Sequence, residues 1–391
     1  MPAACAGAAG VSILVETDEK RGENRMNRYR RVMGRLAGPL AVLAAGAAAL
    51  ALFWGLSGSR AVMNALVRHI SRPVRGAVSA VLNPLPFSGA ELLITLAVLA
   101  GLWMLAGGIR CAVRRQWLAA GRRLAILAAA GVWIWAGVCL LWGAEYYADS
   151  FAETEGIQAE PVSVEQLAAT AEWFARQVNA TASGVPRDEN GAFSMTVEEI
   201  FDRSEGLYDG VSQRYPSLTG PQRRPKPAVY SYIMSLTGFT GYIFPFTGES
   251  TLNVHCPAVF LPVTVAHEFA HQRGVAPEQE ANYVAVAACA DSGDPVYEYS
   301  GWLFGFQHLS NALWSADPER WAQVYGTLCP QALQDLAVNN EYWASMEGPV
   351  QTVAESTYTG FLQSYGQEMG MRSYGACVDL LVARWCPASA R

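Results

Sequence analysis

The sequence predicts a mainly α-helical protein. Three N-terminal transmembrane helices precede a soluble α+β domain that carries a small β-sheet and a helical C-terminal half. Three observations lead there. Residues 36–59, 92–109 and 124–144 are uncharged apolar runs bounded by charged residues, each close to the ~20 residues that cross a hydrocarbon core. Between 229 and 254 the texture turns aromatic, β-branched and glycine-rich, which reads as short strands and turns. From about 296 onward apolar residues return at helical spacing, interrupted by Gly, Pro, Asp or Asn.

At 391 residues the chain is too long for one domain. We divide it into a cytoplasmic, disordered N-terminus over 1–35, a membrane domain over 36–145 and an extracytoplasmic domain over 150–391. The net charge of −6 argues against nucleic acid as a partner, because such a binder needs a basic face. Lys20, Arg21, Arg25, Arg28, Arg30, Arg31 and Arg35 precede the first apolar run, and Arg110, Arg114, Arg115, Arg122 and Arg123 lie between the second and third. Glu145, Asp149, Glu153 and Glu155 follow the third. Basic residues gather on cytoplasmic loops, so the N-terminus is expected inside and everything beyond about Asp149 outside. The extreme N-terminus lacks a long apolar core and carries acidic residues, unlike a signal peptide. Met26 is an alternative start, and the first run is expected to be an uncleaved anchor. Arg60, Arg68, Arg72 and Arg75 run against the charge rule. The spacing of Met63, Leu66, Val67 and Ile70 predicts an amphipathic helix there, lying on the membrane with its arginines against lipid phosphates. Membrane lipid is thus an expected partner.

In the outer domain, Ser163 to Gln166 forms a capping box ahead of Leu167, Ala171, Phe174 and Val178. Residues 181–194 read as a loop. A second box, Thr196 to Glu199, starts a helix expected to run toward Tyr215. The proline-rich residues 221–227 read as a rigid exposed turn with solvated charges. Later helices are expected near 296–314, 317–326, 330–345, 350–367 and 373–386. Cys256, Cys289, Cys329, Cys377 and Cys386 contain no C-x-x-C, which argues against a thiolate zinc site and leaves room for one or two disulfides.

The chemistry concentrates between Val263 and Gly274. His267 and His271 stand four residues apart, so on a helix both imidazoles share a face and can bind one metal ion. Glu268 lies about 100° round the same turn, placed to reach a metal-bound water and not the metal. Zinc lowers the pKa of such a water to roughly 7, and a neighbouring carboxylate can take its proton. With five His and 24 Glu in the chain, the pattern arises by accident roughly four times in a thousand. Pro262 suits the first turn of this helix and Gly274 its end. Pro277 opens a second helix carrying Glu278, Glu280 and Asn282. A catalytic zinc needs a third protein ligand and one open position. Glu278 and Glu280 are the candidates, and at about 200° apart only one can face the histidines. Glu278 is favoured. Asn282 shares its face and would support a ligand histidine by hydrogen bonding. His255 is expected to be a structural or surface residue.

The sequence H-E-F-A-H over 267–271, followed by E-x-E-A-N over 278–282, resembles the zincin metallopeptidases of the gluzincin type. The resemblance implies a zincin-like outer domain with one Zn2+ ion held by His267, His271 and Glu278. It implies Glu268 as general base, and Asn282 where many relatives carry a supporting acid. It also implies an edge strand before the motif helix, Gly241 to Phe244 or Ser250 to Val254, that pairs with an extended substrate. An oxyanion-stabilising His or Tyr is implied as well, for which His308, Tyr283, Tyr297 and Tyr299 are eligible. Six residues separate His271 from Glu278, fewer than in thermolysin-like enzymes. The position of a metzincin third ligand falls on Pro277, which cannot bind metal, and Glu280 stays open as the substitute. More closely, Leu141 to Gly143, Pro245 to Glu249 and His267 to Gly274 are similar to stretches of an uncharacterised family, domain of unknown function 3810. That likeness, to a family of bacterial membrane proteins, spans most of the chain beyond Arg60 and implies a zinc-hydrolase architecture but no substrate. With the three apolar runs, the expected location is the bacterial cell membrane, multi-pass.

The expected activity is that of a membrane-anchored zinc-dependent hydrolase, foremost a peptidase acting on a peptide or protein. Two alternatives stand beside it. One is a non-catalytic membrane protein for binding or signalling, with a structural or degenerate metal site. The other is a zinc amidase or esterase acting on envelope material.

Overall fold

The structure is a computed structural model that describes residues 34, 36–158, 162–365 and 374–390. Residues 1–33, on which the expected disorder and alternative start fall, lie outside these, as do 366–373 at the junction of the last two expected helices.

The leading part of the chain contains α1 (Leu36–Leu56), α2 (Arg72–Leu82), α3 (Gly89–Val113) and α4 (Trp117–Leu141), with a shorter helical stretch over residues 60–71 running into α2. α1, α3 and α4 are long and apolar enough to cross a membrane, and at most 11% of the most apolar stretch of each is buried within the protein. The helices extend beyond the uncharged runs of α3 and α4 because flanking arginines are good helix formers. The chain reverses at Arg115, which takes φ 56°.

The described residues form two compact units. One comprises those up to Gly55 together with Thr95–Ala136. Within it, a side chain on Gly46 would fall 2.8 Å from Val132 and 3.0 Å from the Trp133 indole, which donates to Val42 O at 3.0 Å. A small residue thus lets α1 approach α4 closely.

The second unit comprises Leu56–Ile94 and the described residues from Gly137 onward. Among its further helices are α5 (Val164–Thr181), α6 (Ser231–Leu236), α7 (Leu261–Gln272), α8 (Glu278–Ala290), α9 (Pro295–Ala316), α10 (Pro330–Met346), α11 (Pro349–Ser364) and α12 (Tyr374–Trp385), with shorter ones between them. Both capping boxes form, at Ser163 and at Thr196. The helix after Thr196 does not reach Tyr215. It stops at Asp202, the chain turns through Gly206 at φ 74°, and a separate helix spans Asp209–Arg214. α8 is buried from Tyr283 to Cys289 and forms the centre, which is why its sequence is apolar on all sides. Gly301 and Gly305 let α9 settle against Cys289 and Phe174, and the Phe174, Trp302 and Trp385 rings pack 5.3–5.6 Å apart.

A three-stranded sheet, β1 (Lys226–Pro227), β2 (Gly241–Ile243) and β3 (Ser250–Leu252), has the order β1-β3-β2. β1 is parallel and β2 antiparallel to β3, with Tyr242 opposite Thr251. Lys226 is therefore no solvated turn residue. It is buried, and its ammonium donates to the carbonyls of Asn83 and Leu85.

The segment after α1 is helical as expected, over Arg60–Leu66, Val67–Ser71 and α2, but much of its apolar face and three of its arginines turn to protein. Met63 and Val67 are buried in protein, and Arg72 and Arg75 reach Glu145 at 3.0 and 2.5 Å. Arg60 pairs with Asp149 and Glu153 at 3.3 and 2.5 Å. These arginines meet carboxylates of the segment after α4 because Glu145, once buried, needs compensating charge. All described cysteines are free thiols.

Candidate metal centre

α7 starts with Pro262 in its first turn and ends at Gln272. Gly274 takes φ 87°, and the N–H groups of Gly274 and Val275 return to the carbonyls of His271 and Ala270 at 3.0 and 3.1 Å. This reversal sets the first turn of α8 beside the histidine face of α7. One donor atom each from His267, His271 and Glu278 lie within 4.8 Å of one another. Glu278 Oε2 stands 3.2 Å from His267 Nε2 and 3.6 Å from His271 Nε2. Donors held at 2.0–2.1 Å around a tetrahedral zinc stand roughly 3.3 Å apart, so these spacings suit a shared ion.

The surrounding bonds orient each donor. His271 Nδ1 lies 2.6 Å from the Val275 carbonyl, which can only accept, so Nδ1 carries a proton and Nε2 is the nitrogen left to face Glu278 or a metal ion. Glu278 Oε1 accepts from the Tyr358 hydroxyl of α11 at 2.7 Å, leaving Oε2 for the imidazoles. Glu280 faces the other way. Its carboxylate accepts from the N–H groups of Phe151 and Ala152 at 2.9 and 3.2 Å, satisfying the first turn of the helix Phe151–Glu155. The structure thus brings Glu278 to the histidines and takes Glu280 away.

Glu268 is buried, and its Oε2 has no hydrogen-bond partner among the described residues. A buried carboxylate oxygen without a donor is costly. Glu268 lines a cavity of about 570 Å³ together with His267, His271, Glu278 and Asn282, so a donor within that cavity can satisfy it. Gly241 lies against the same carboxylate, with space for a Cβ only 2.6 Å from Oε1.

Electrostatics favour a cation here. Burial opposes charge on His271, but the Glu278 carboxylate outweighs it and lifts the imidazole to about 9. Burial pushes Glu278 upward, yet His271 and His267 together hold it well below the usual carboxylate range. Burial raises Glu268, with the histidines pulling the other way. Burial and then the Glu278 charge keep the Tyr358 phenol protonated. A site that binds a proton this strongly favours a metal cation for the same reason. Donor spacing, fixed tautomer and the orphaned Glu268 oxygen together fit a zinc ion.

Several expected residues are placed elsewhere. His308 is buried and is not a cavity-lining residue. Phe304, one turn earlier, lines the cavity and packs edge-on against the His308 imidazole at 4.6 Å, and burial lowers that imidazole to about 4. The hydroxyls of Tyr283, Tyr297 and Tyr299 engage Tyr215, Ile200 O and Asp335, and none lines the cavity. His255 bonds Tyr342 at 2.8 Å. Two residues given no role from the sequence complete the site: Tyr358, and Trp142 of the Leu141 to Gly143 stretch, whose ring meets that of His271 edge-on at 5.4 Å.

Of the two strands considered for substrate pairing, β3 is central and β2 is the edge. Thr240 O accepts from Asn253 N at 2.9 Å, and Phe244 N donates to Glu249 O at 3.2 Å. Residues 240, 242 and 244 therefore pair with β3, while Gly241 and Ile243 turn their N–H and C=O groups to the open edge. Among the described residues no strand covers that edge, and all of β2 lines the cavity.

Fold and site define a mostly helical protein in which membrane-length apolar helices precede a partly buried two-histidine, one-glutamate cluster. The chain belongs to the family described as "Protein of unknown function (DUF3810)", whose model matches residues 67–382 and so takes in every site residue named above. Neither the curated proteins nor the solved structures offer a match.

Proposed function

We propose that this protein is a membrane-anchored zinc-dependent hydrolase of the zincin type, acting as a peptidase. The observation that carries this reading is the unpartnered Glu268 Oε2 in the same cavity as the His267, His271 and Glu278 donors. Those three side chains would hold one zinc ion. Bound there, zinc supplies a Lewis acid and brings the pKa of a coordinated water toward about 7. Glu268 takes up a proton at Oε2 and passes it to the leaving amine, a role its burial-raised proton affinity suits. Tyr358 occupies Oε1 of Glu278, so that carboxylate presents a single oxygen to the ion. The outward backbone groups of Gly241 and Ile243 bind an extended chain by strand addition, which favours a polypeptide substrate over other amides or esters. A structural zinc site closes its coordination with four protein ligands. Three donors facing a cavity support catalysis instead.

The three apolar helices and the basic residues before α1 and between α3 and α4 support a multi-pass placement, N-terminus cytoplasmic and outer domain extracytoplasmic. The pairing of Arg60, Arg72 and Arg75 with Glu145, Asp149 and Glu153 supports it independently. It joins the segment after α1 to that after α4, on one side, and neutralises charges that ran against the rule.

The test is the zinc content and activity of the full chain purified in detergent. About one zinc per chain is expected, with none in His267→Ala. Glu268→Gln is expected to keep zinc and lose cleavage of a peptide library. A zinc-free wild type after metal-replete purification overturns the proposal.

A further inference from the structure

The cavity lies at the outer end of α4. Val138, in the last turn of that helix, and Trp142, directly after it, both line the cavity. This last turn is built into the second unit. A Cβ on Gly137 would meet the Phe246 ring at 2.5 Å, Cys139 Sγ lies 3.2 Å from Tyr365 Oη, and Ser71 donates to Leu140 O at 2.6 Å. The apolar surface of α4 thus ends in the cavity wall.

The start of α3 is likewise built into the second unit. Glu249 accepts from the N–H groups of Gly89 and Ala90 at 3.3 and 3.0 Å. Glu91 accepts from Val229 and Tyr230 N–H groups at 2.8 and 3.0 Å. The next residue, Leu92, begins the uncharged run. The entrance to α6 is therefore tied to the place where α3 becomes membrane-like. Here Val229, Tyr230, Tyr232 and Ile233 are 74, 41, 55 and 56% exposed. Aliphatic residues mixed with tyrosine are the composition of a membrane–water boundary. Gly238 and Phe239, just past α6, already line the cavity. Patch, cavity and the ends of two apolar runs are linked by short, mostly hydrogen-bonded steps.

We propose that the 229–233 patch is seated in the bilayer surface, and that the cavity takes its substrate there. The substrate class is a polypeptide segment emerging directly from the membrane, the extended juxtamembrane stretch of another membrane-held protein. The seating stands on the geometry alone, whereas the substrate class rests on the hydrolase function above. A chain held by its own anchor arrives at a high effective concentration, so weak contacts suffice. Phe239, Phe260, Phe304 and Trp343 give the cavity the aromatic wall that a large apolar side chain would fill.

Two measurements on the zinc-loaded full chain in phosphatidylethanolamine–phosphatidylglycerol vesicles test this. In the first, photoreactive benzoylphenylalanine replaces Tyr232 or Ile233, with Glu189 as an exposed control position. Adducts with lipid acyl chains are expected at 232 and 233 and not at 189. No adduct at either position overturns the seating. In the second, single-span reporters carry one randomised segment of about twelve residues, either directly after the span or behind a flexible spacer of about forty. The proximal form is expected to be cleaved at least roughly tenfold faster, and neither by Glu268→Gln. Equal rates overturn the juxtamembrane substrate class. Lipid adducts without Glu268-dependent cleavage of either reporter keep the seating and overturn the hydrolase function, and with it the substrate class.

Discussion

The Tyr358 hydroxyl donates to Glu278 Oε1 at 2.7 Å, joining two helices whose contacting residues lie 80 apart in the chain. This bond decides which oxygen of Glu278 faces the imidazoles. Tyr358→Phe keeps the ring packed against Phe239 and Phe361 and deletes only the donor. Zinc affinity is expected to fall about 10–100-fold, as for other supporting partners of metal ligands. Chelator competition reads it, and an unchanged affinity would remove Tyr358 from the site.

Gly241 leaves room for the Glu268 carboxylate. In Gly241→Ala the new methyl would sit 2.6 Å from Oε1, so either Glu268 or β2 must move. Displacement of about 1 Å at a reacting group costs about a hundredfold in rate. The variant is expected to bind zinc normally and turn over at least that much more slowly. Wild-type turnover with bound zinc would show that the strand simply yields.

Glu278→Gln and Glu280→Gln should separate cleanly although two residues apart. The first is expected to lose zinc. The second should keep zinc and lose about 1–3 kcal/mol of stability, because Glu280 serves the backbone of Phe151 and Ala152. Thermal melts and metal content together distinguish them, and zinc loss in Glu280→Gln would contradict the assignment.

The pair formed by His271 and Glu278 makes a pH prediction for the protein after chelation. His271 is lifted from 6.5 to about 9, so it binds its proton more tightly folded than unfolded. The stabilisation is full below about 6.5 and is lost as pH rises through about 9. Melting temperature of the chelated form should therefore decline across this window, and His271→Ala should flatten the decline. A melting temperature that rises with pH there would reverse the sign and refute the pairing.

Arg75 and Glu145 are both buried and bond at 2.5 Å, and the Arg75 guanidinium lies 5.0 Å from the Trp142 ring centre. Glu145→Gln leaves a buried guanidinium uncompensated, and a loss of about 3–5 kcal/mol is expected. Replacing Arg75 and Glu145 together by Met should recover much of it. Denaturation in detergent measures both, and a mild effect of the single variant would mean that water reaches the pair.

Periodicity and local chemistry carried much of the architecture. The apolar runs, the capping boxes at Ser163 and Thr196 and the common face of His267 and His271 are all contained within a few consecutive residues. So is the divergence of Glu278 from Glu280, since 100° per residue fixes it. What remained hidden depends on long-range contact. Nothing around Tyr358 marks it as the partner of a glutamate on another helix. Arg75 looked like a lipid-facing arginine because Glu145 lies beyond two apolar helices in sequence. Lys226, set among prolines, carried turn chemistry while its ammonium was committed to two carbonyls near residue 84. Gly206 broke a helix whose capping and spacing otherwise continued.

The joints at Glu249, Lys226 and Glu91 bear on biosynthesis. Glu249 and Lys226 are buried, and their partners sit at Gly89, Ala90, Asn83 and Leu85. A ribosome delivers those residues long before the sheet that needs them, so the segment 83–90 acts as an assembly jig for the rest of the second unit. A gene fragment starting at codon 150 would strand two enclosed charges at once, each at a cost of 1–3 kcal/mol or more. Such a fragment is expected to precipitate, whereas co-expression with residues 56–150 should return it to solution in detergent.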